Sequence, residues 1–275
     1  MRAWTGLSSA LQSGRARKTM RCWRRWRDTH MERNDPLRGI AALLGFLTII
    51  PSRGSQQEAA RHFYAVPVVG FVRGMITSIS VLALAWFPPY VAAALALALH
   101  YVGQGFMHAD GFSDFSEALI ASKSGTDPRA VVHDTHRGSF AIAAFSVLSI
   151  VLFASSLYAL SSRFVLAFVA AEIGEVIAIA AALQFGGREP YDGMASAFKE
   201  HMSGGTLGFI ALLSAVLIFL LGGGMLTILV PVASLVVGGL TAKAADRTLG
   251  FTNGDALGFA GEIAFAAALL MVAHA

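Results

Sequence analysis

Apolar runs of bilayer length recur along this chain, and no other feature restricts its fold as strongly. They fall at about 64–87, 90–107, 140–160, 163–185, 206–221, 225–241 and 256–274, each near the roughly 17–25 residues that a helix needs to cross the hydrocarbon core. Charged residues make up 14% of the chain, against about 25% in a soluble domain. The predicted fold is therefore all-α, a polytopic integral membrane helical bundle of about seven transmembrane helices. Residues 39–50 supply only about twelve apolar positions, too few to cross, and are predicted to form one short re-entrant or interfacial helix.

The spans pair off across tight turns. Pro88–Pro89, the stretch 161–163 and the glycines 222–224 make short connections on one side, so the longer polar segments 51–63, 108–139, 186–205 and 242–255 all fall on the other. Of 21 Lys and Arg, 19 lie on the long-loop side, Arg163 alone lies on the short-turn side, and Arg73 sits inside a span. Positive charge marks the cytoplasmic face. The expected localisation is the cell inner membrane, multi-pass, with the four polar segments converging on the cytoplasmic side.

Residues 1–30 form a basic extension in which Arg and Trp interleave. It reads as a membrane-surface or targeting arm, as a disordered extension, or as an overlong start with Met31 the true beginning. Residues 31–275 read as one membrane-embedded domain. Cys22 is the only cysteine, which excludes an intramolecular disulfide framework.

Every conspicuous polar motif lies in or beside the converging segments. In "HADGFSDFSEA", His108 to Ala118, three acids (Asp110, Asp114 and Glu117) share one helical face. Like charges at those spacings repel, and a hard divalent cation with oxygen ligands would compensate. A solvated helix end is the plainer alternative. In "HDTHRGSF", Asp134, Arg137, Gly138 and Ser139 precede a span, an arrangement suited to phosphate or to an ordinary basic flank. "GGREPYDGMASAF", with Arg188 and Tyr191, reads as an ordered loop or a plain turn. In "KAADRTLGFTNGDALG", Arg247, Thr252 and Asn253 offer contacts to a ligand, while Asp255 reads as the cap of the last span or as a ligand in its own right. Glu172 and Glu175 lie inside a span, where acids are functional candidates or pair with Arg73 or His100 as buried structural groups.

Together these motifs resemble the cobalamin synthase family, adenosylcobinamide-GDP ribazoletransferase, from about residue 36 to the C-terminus. The resemblance is carried by His108, Asp110, Gly111, Asp114 and Glu117, then by Asp134, Gly138 and Phe140, by "PYDGMASAF", and by Arg247–Gly250, Thr252–Gly258 and Glu262. Three departures stand out: Glu117 where the family has Asp, His136 in the usual Arg position, and Glu172 and Glu175 in place of a Ser-Arg pair. The resemblance implies a Mg²⁺-dependent membrane phosphotransferase that joins adenosylcobinamide-GDP to α-ribazole, or its 5′-phosphate, and releases GMP. It casts Asp110, Asp114 and His108 as catalytic. Asp110, Asp114, Glu117, Asp134 and Asp255 become metal ligands. Arg137, Gly138, Ser139, Arg188, Tyr191, Arg247, Thr252 and Asn253 become substrate contacts. The partners implied are the two small molecules and the lipid bilayer, without nucleic acid, and a homo-oligomer is compatible with the reading. Two alternatives share features of the pattern. A CDP-alcohol phosphotransferase would carry Asp-Gly-x-x-Ala-Arg, which "DGFSDF" lacks. A cation-coupled transporter using Glu172 and Glu175 would call for inverted repeats and broken helices.

Overall fold

The computed structural model describes residues 35–132, 138–161, 165–222 and 224–273. Every regular element among them is helical: α1 (Pro36–Leu47), α2 (Gln56–Arg61), α3 (Val66–Ala83), α4 (Pro89–Gly103), α5 (Met107–Ser124), α6 (Pro128–Val132), α7 (Ser139–Ser161), α8 (Ala167–Phe185), α9 (Met194–Lys199), α10 (Gly204–Leu220), α11 (Gly224–Thr248) and α12 (Gly254–Ala273). The basic extension, Asp134, His136 and Arg137 lie outside the described residues.

Helix α8 is the axis of the bundle. It is apolar all round and rich in alanine, and every residue from Ala167 to Leu183 is buried. A helix of that character belongs inside a large core or a membrane protein. Helices α3, α10, α11 and α12 pack around it. Small residues allow the closest approaches, as is usual between membrane helices. A Cβ on Gly70 of α3 would stand 2.7 Å from the Glu172 carbonyl oxygen, so the two backbones touch there. The outer helices turn apolar residues outward: Ile142, Val147 and Ile150 on α7, and Leu229, Val232, Val236 and Leu240 on α11, are all exposed. Those stripes fit a lipid surround.

Among the described residues, five helices are long and apolar enough to cross a membrane, or six if α4 and α5 count as one broken span. The sequence predicts about seven. Two predicted spans form helices too short to cross. Residues 206–221 become α10, 17 residues long. The run at 90–107 becomes α4, only 15 residues, because the chain breaks at Gly105 and Phe106. Both have positive φ, 62° and 60°, and the chain turns by 86° into α5. Helix α1 is 12 residues long and starts on a side-chain cap, the Leu37 N–H donating to Asp35 Oδ1 at 3.0 Å. It matches the short non-crossing helix expected at 39–50.

Candidate active site

The break before α5 places "MHADG" at the start of a new helix, beside the start of α12. Glycines bring the two helix ends together. A Cβ on Gly111 would stand 2.9 Å from Asp255 Cα, and one on Gly258 would stand 2.8 Å from the His108 carbonyl oxygen. Asp110 lies in the first turn of α5 and Asp255 in the first turn of α12, where the macrodipoles stabilise carboxylates. Both acids and His108 line one cavity of about 230 Å³. Its remaining walls come from the end of α1, from Phe63, from Ile179 and Leu183 of α8, and from α9. The convergence of distant polar segments expected from the sequence is therefore present.

Asp255 does not cap α12. The cap is Asn253, whose Oδ1 accepts from the Ala256 N–H at 3.1 Å, while its Nδ2 donates to Asp255 Oδ2 at 2.7 Å. Cap and carboxylate therefore occupy different positions, and Asn253 helps to orient Asp255. Thr252 and Asn253, expected to touch substrate, are both buried. Thr252 Oγ1 donates to Asp246 Oδ1 at 3.2 Å, and the Gly187 N–H donates to the same oxygen at 2.8 Å. Asp246 thus ties the loop after α8 to the loop before α12. Arg129 braces the second loop, its Nε donating to the Leu249 carbonyl at 2.7 Å and its guanidinium lying over the Phe251 ring. Lys199 Nζ donates to the carbonyls of Leu183 and Gly186, which closes the end of α8. Burial lowers the Lys199 pKa below its usual value, partly offset by the Asp246 charge.

The other residues expected at the site are distributed around it. Asp114 and Glu117 are half-buried on α5. The Glu117 Oε2 accepts from the Gly138 N–H at 2.9 Å, so this carboxylate anchors the approach to α7. Ser139 opens α7 and is exposed. Arg188 is exposed and pairs with Glu200 at 2.7 Å. Arg247 is exposed near the end of α11. Tyr191 stands edge-on to Phe251. Burial, then the charges of Glu189 and Asp255, raise its phenol pKa, which keeps the hydroxyl protonated as a hydrogen-bond donor.

Below the cavity lies a buried polar network that the sequence foreshadowed only as one of two options for Glu172 and Glu175. Arg73 Nη2 pairs with Glu172 Oε2 at 2.7 Å and with Glu175 Oε2 at 3.1 Å. His100 bridges Glu172 at 3.0 Å and Glu262 at 3.3 Å. Gln104 donates to Glu262 Oε1 at 2.9 Å and accepts from the His108 N–H at 3.0 Å. His108 Nδ1 is bound to Glu175 Oε1, and His108 also lines the cavity. Among the described residues, one set of three His or acidic side chains has ligand atoms within 4.8 Å of one another: His100, Glu172 and Glu175. The Arg73 guanidinium already lies against both carboxylates, so this trio is a structural ion cluster.

Sequence reading missed Gln104, Arg129, Lys199 and Asp246 as parts of the site. Asp246 stood inside a quoted motif, but its partners are a backbone N–H and a hydroxyl, which leave no spacing signature. Arg129 and Lys199 bind carbonyl oxygens, which leave none either.

Residues 39–273 match the family model described as cobalamin-5-phosphate synthase. The chain is similar to the adenosylcobinamide-GDP ribazoletransferase of Methanocella arvoryzae, 30% identical over 264 residues and covering 85% of this chain and 94% of that one. The enzyme of the same name from Thermococcus onnurineus is 31% identical over 239 residues, covering 85% and 96%. The Escherichia coli enzyme of that name is 31% identical over 248 residues, covering 83% and 98%. No solved structure matches the chain.

Proposed function

The chain belongs to the cobalamin-5-phosphate synthase family and is a transferase of late cobalamin biosynthesis, and from that premise we propose the chemistry of the α5–α12 cavity. The donor is adenosylcobinamide-GDP, and the acceptor is α-ribazole or its 5′-phosphate. An acceptor hydroxyl oxygen attacks the phosphorus that bears cobinamide. The new P–O bond makes a phosphodiester, the bond from that phosphorus to the bridging oxygen breaks, and GMP leaves. His108 takes the hydroxyl proton at the ring nitrogen not bound to Glu175, a role that needs a base within hydrogen-bond reach.

The observation that carries this reading is Asp110 and Asp255 on one cavity, held there by glycine contacts between two helix starts. Such a pair suits Mg²⁺, which binds through one or two carboxylates plus substrate phosphates rather than through a full protein cage. Asp110 and Asp255 would hold the ion, with Asp114 one turn along and Glu117 beyond it. When bound, Mg²⁺ would neutralise charge on the pyrophosphate and its leaving GMP. Arg188 and Arg247 are the cationic groups proposed to meet the donor's phosphates, with Arg137 assigned to the same role from the sequence alone, and Tyr191 offers a hydroxyl. The positive flanks support a cavity that faces the cytoplasm from the inner membrane.

The test is GMP release by purified membranes given adenosylcobinamide-GDP, α-ribazole or its 5′-phosphate, and Mg²⁺. Release that requires all three components is expected. Asp110→Asn should nearly abolish it while the protein stays inserted, and near wild-type turnover in that variant at saturating Mg²⁺ would refute the role given to the carboxylate pair.

A further inference from the structure

The cavity of the proposed site has two unlike ends. Its rim is exposed and polar, with Asp110 and Gly254 open to solvent. Its floor is apolar: Leu47, Phe63, Ile179, Leu183 and Phe198 line it and are all buried. Phe198 also stands edge-on to Phe63 with ring centroids 5.2 Å apart and tilted against Phe46 at 5.0 Å, giving an aromatic wall. An apolar cavity of about 150 Å³ accepts benzene, so about 230 Å³ takes a bicyclic ring with small substituents. Drug-sized ligands occupy about 300–1,000 Å³, so a corrin macrocycle does not fit. Guanine would fit by size, but its amide and amino groups would lose their hydrogen bonds on such a floor.

We infer that the floor is the subsite for the aromatic base of the acceptor nucleoside, a dimethylbenzimidazole whose benzo edge carries only methyl groups. The inference rests on the transferase reading above and adds which substrate enters the cavity, and by which end. With the base down, the ribose hydroxyls reach the rim where Asp110, Asp255 and His108 stand. The bulky corrinoid and the guanosine stay outside, and only the donor's phosphates approach the acids. Discrimination among acceptors then depends on how well the base fills the floor. In an apolar pocket one methylene changes selectivity by about 10–200-fold, so the dimethyl base should exceed unsubstituted benzimidazole by at least about tenfold in kcat/KM. A purine riboside should be poorer still.

The experiment uses the full-length protein in liposomes, with ribosides of dimethylbenzimidazole, benzimidazole and adenine. GMP release and direct riboside binding by calorimetry are measured side by side. Ala195→Leu adds bulk to a buried wall residue, and Leu183→Ala opens the floor. Ala195→Leu should raise the acceptor KM and Kd tenfold or more, with the donor KM within about twofold. Leu183→Ala should flatten the preference between the two benzimidazoles. Thermal unfolding of both variants separates these effects from misfolding. GMP release with equal kcat/KM for all three ribosides, or Ala195→Leu raising the donor KM instead, overturns the subsite and keeps the transferase reading. Riboside binding that responds to Ala195→Leu without any GMP release overturns the transferase reading and keeps the aromatic subsite.

Discussion

Asn253 and Asp255 divide the start of α12 between them. Asn253 satisfies a free backbone N–H of the helix and grips Asp255, which is left to face the cavity. Their variants should therefore separate. Asp255→Asn keeps the cap, so thermal stability should stay near wild type while GMP release falls about 10–100-fold, the usual loss when a group supporting a metal is removed. Asn253→Ala removes the cap and the brace together. It should cost about 1 kcal/mol of stability and lower turnover as well. Because Asn caps about as well as Asp, the discriminating variant is Asp255→Ala: a stability loss equal to that of Asn253→Ala would return the capping role to Asp255. Arg73 presents a harsher case. It is buried against Glu172 and Glu175, and removing one partner of a buried pair typically costs about 3–5 kcal/mol. Thermal unfolding in detergent should show that loss for Arg73→Met, with part recovered when Glu172→Gln is added.

Helix α5 depends on two glycines for different reasons, and substitutions can tell them apart. Gly105 sits at positive φ in the break, where a Cβ would meet only Ile49 at 3.5 Å. Gly105→Ala should cost about 1–2 kcal/mol through the left-handed backbone alone. Gly111 lies against the Asp255 backbone, so Gly111→Ala should cost a similar 1–3 kcal/mol by overpacking. Only the second pushes the two aspartates apart. A displacement near 1 Å can cost about a hundredfold in rate, so GMP release should collapse for Gly111→Ala and largely survive in Gly105→Ala. The contrast also shows what was legible in the sequence. Five of the seven spans, the short helix at 39–50 and the meeting of distant loops could be read because a bilayer imposes one length and one charge rule on every segment. The break at 105–106 could not, because nothing in Phe106 announces a positive φ. The pairing of Glu172 with Arg73 was legible as an option, since charges inside a span need partners, but the choice between structure and transport needed coordinates. The internal hydrogen bonds of Thr252 and Asn253 were not legible either, because in sequence such groups look available to a ligand.

For the whole molecule, the threading makes a direct claim about sides. In a Cys22→Ser background, cysteines placed at Ser124 and Ser203 should be labelled from the cytoplasm and one at Ser161 from outside. All three positions are exposed, and the 19 basic residues on the long-loop side motivate the expectation. Opposite labelling of Ser124 and Ser203 would break the convergence on one face. The buried ion cluster has a different consequence, for synthesis rather than for the finished enzyme. Arg73 and His100 leave the ribosome about a hundred and about seventy residues before Glu172, roughly 5–20 s earlier for Arg73 at about 5–20 residues per second. A central Arg in an inserting helix costs about 2.5–3.5 kcal/mol on the translocon scale. During that interval the first helices carry an uncompensated cation in the membrane, and α8 arrives later with the two carboxylates that neutralise it. A chain terminated before residue 167 lacks both carboxylates, so Arg73 and His100 are left without the partners they have in the bundle.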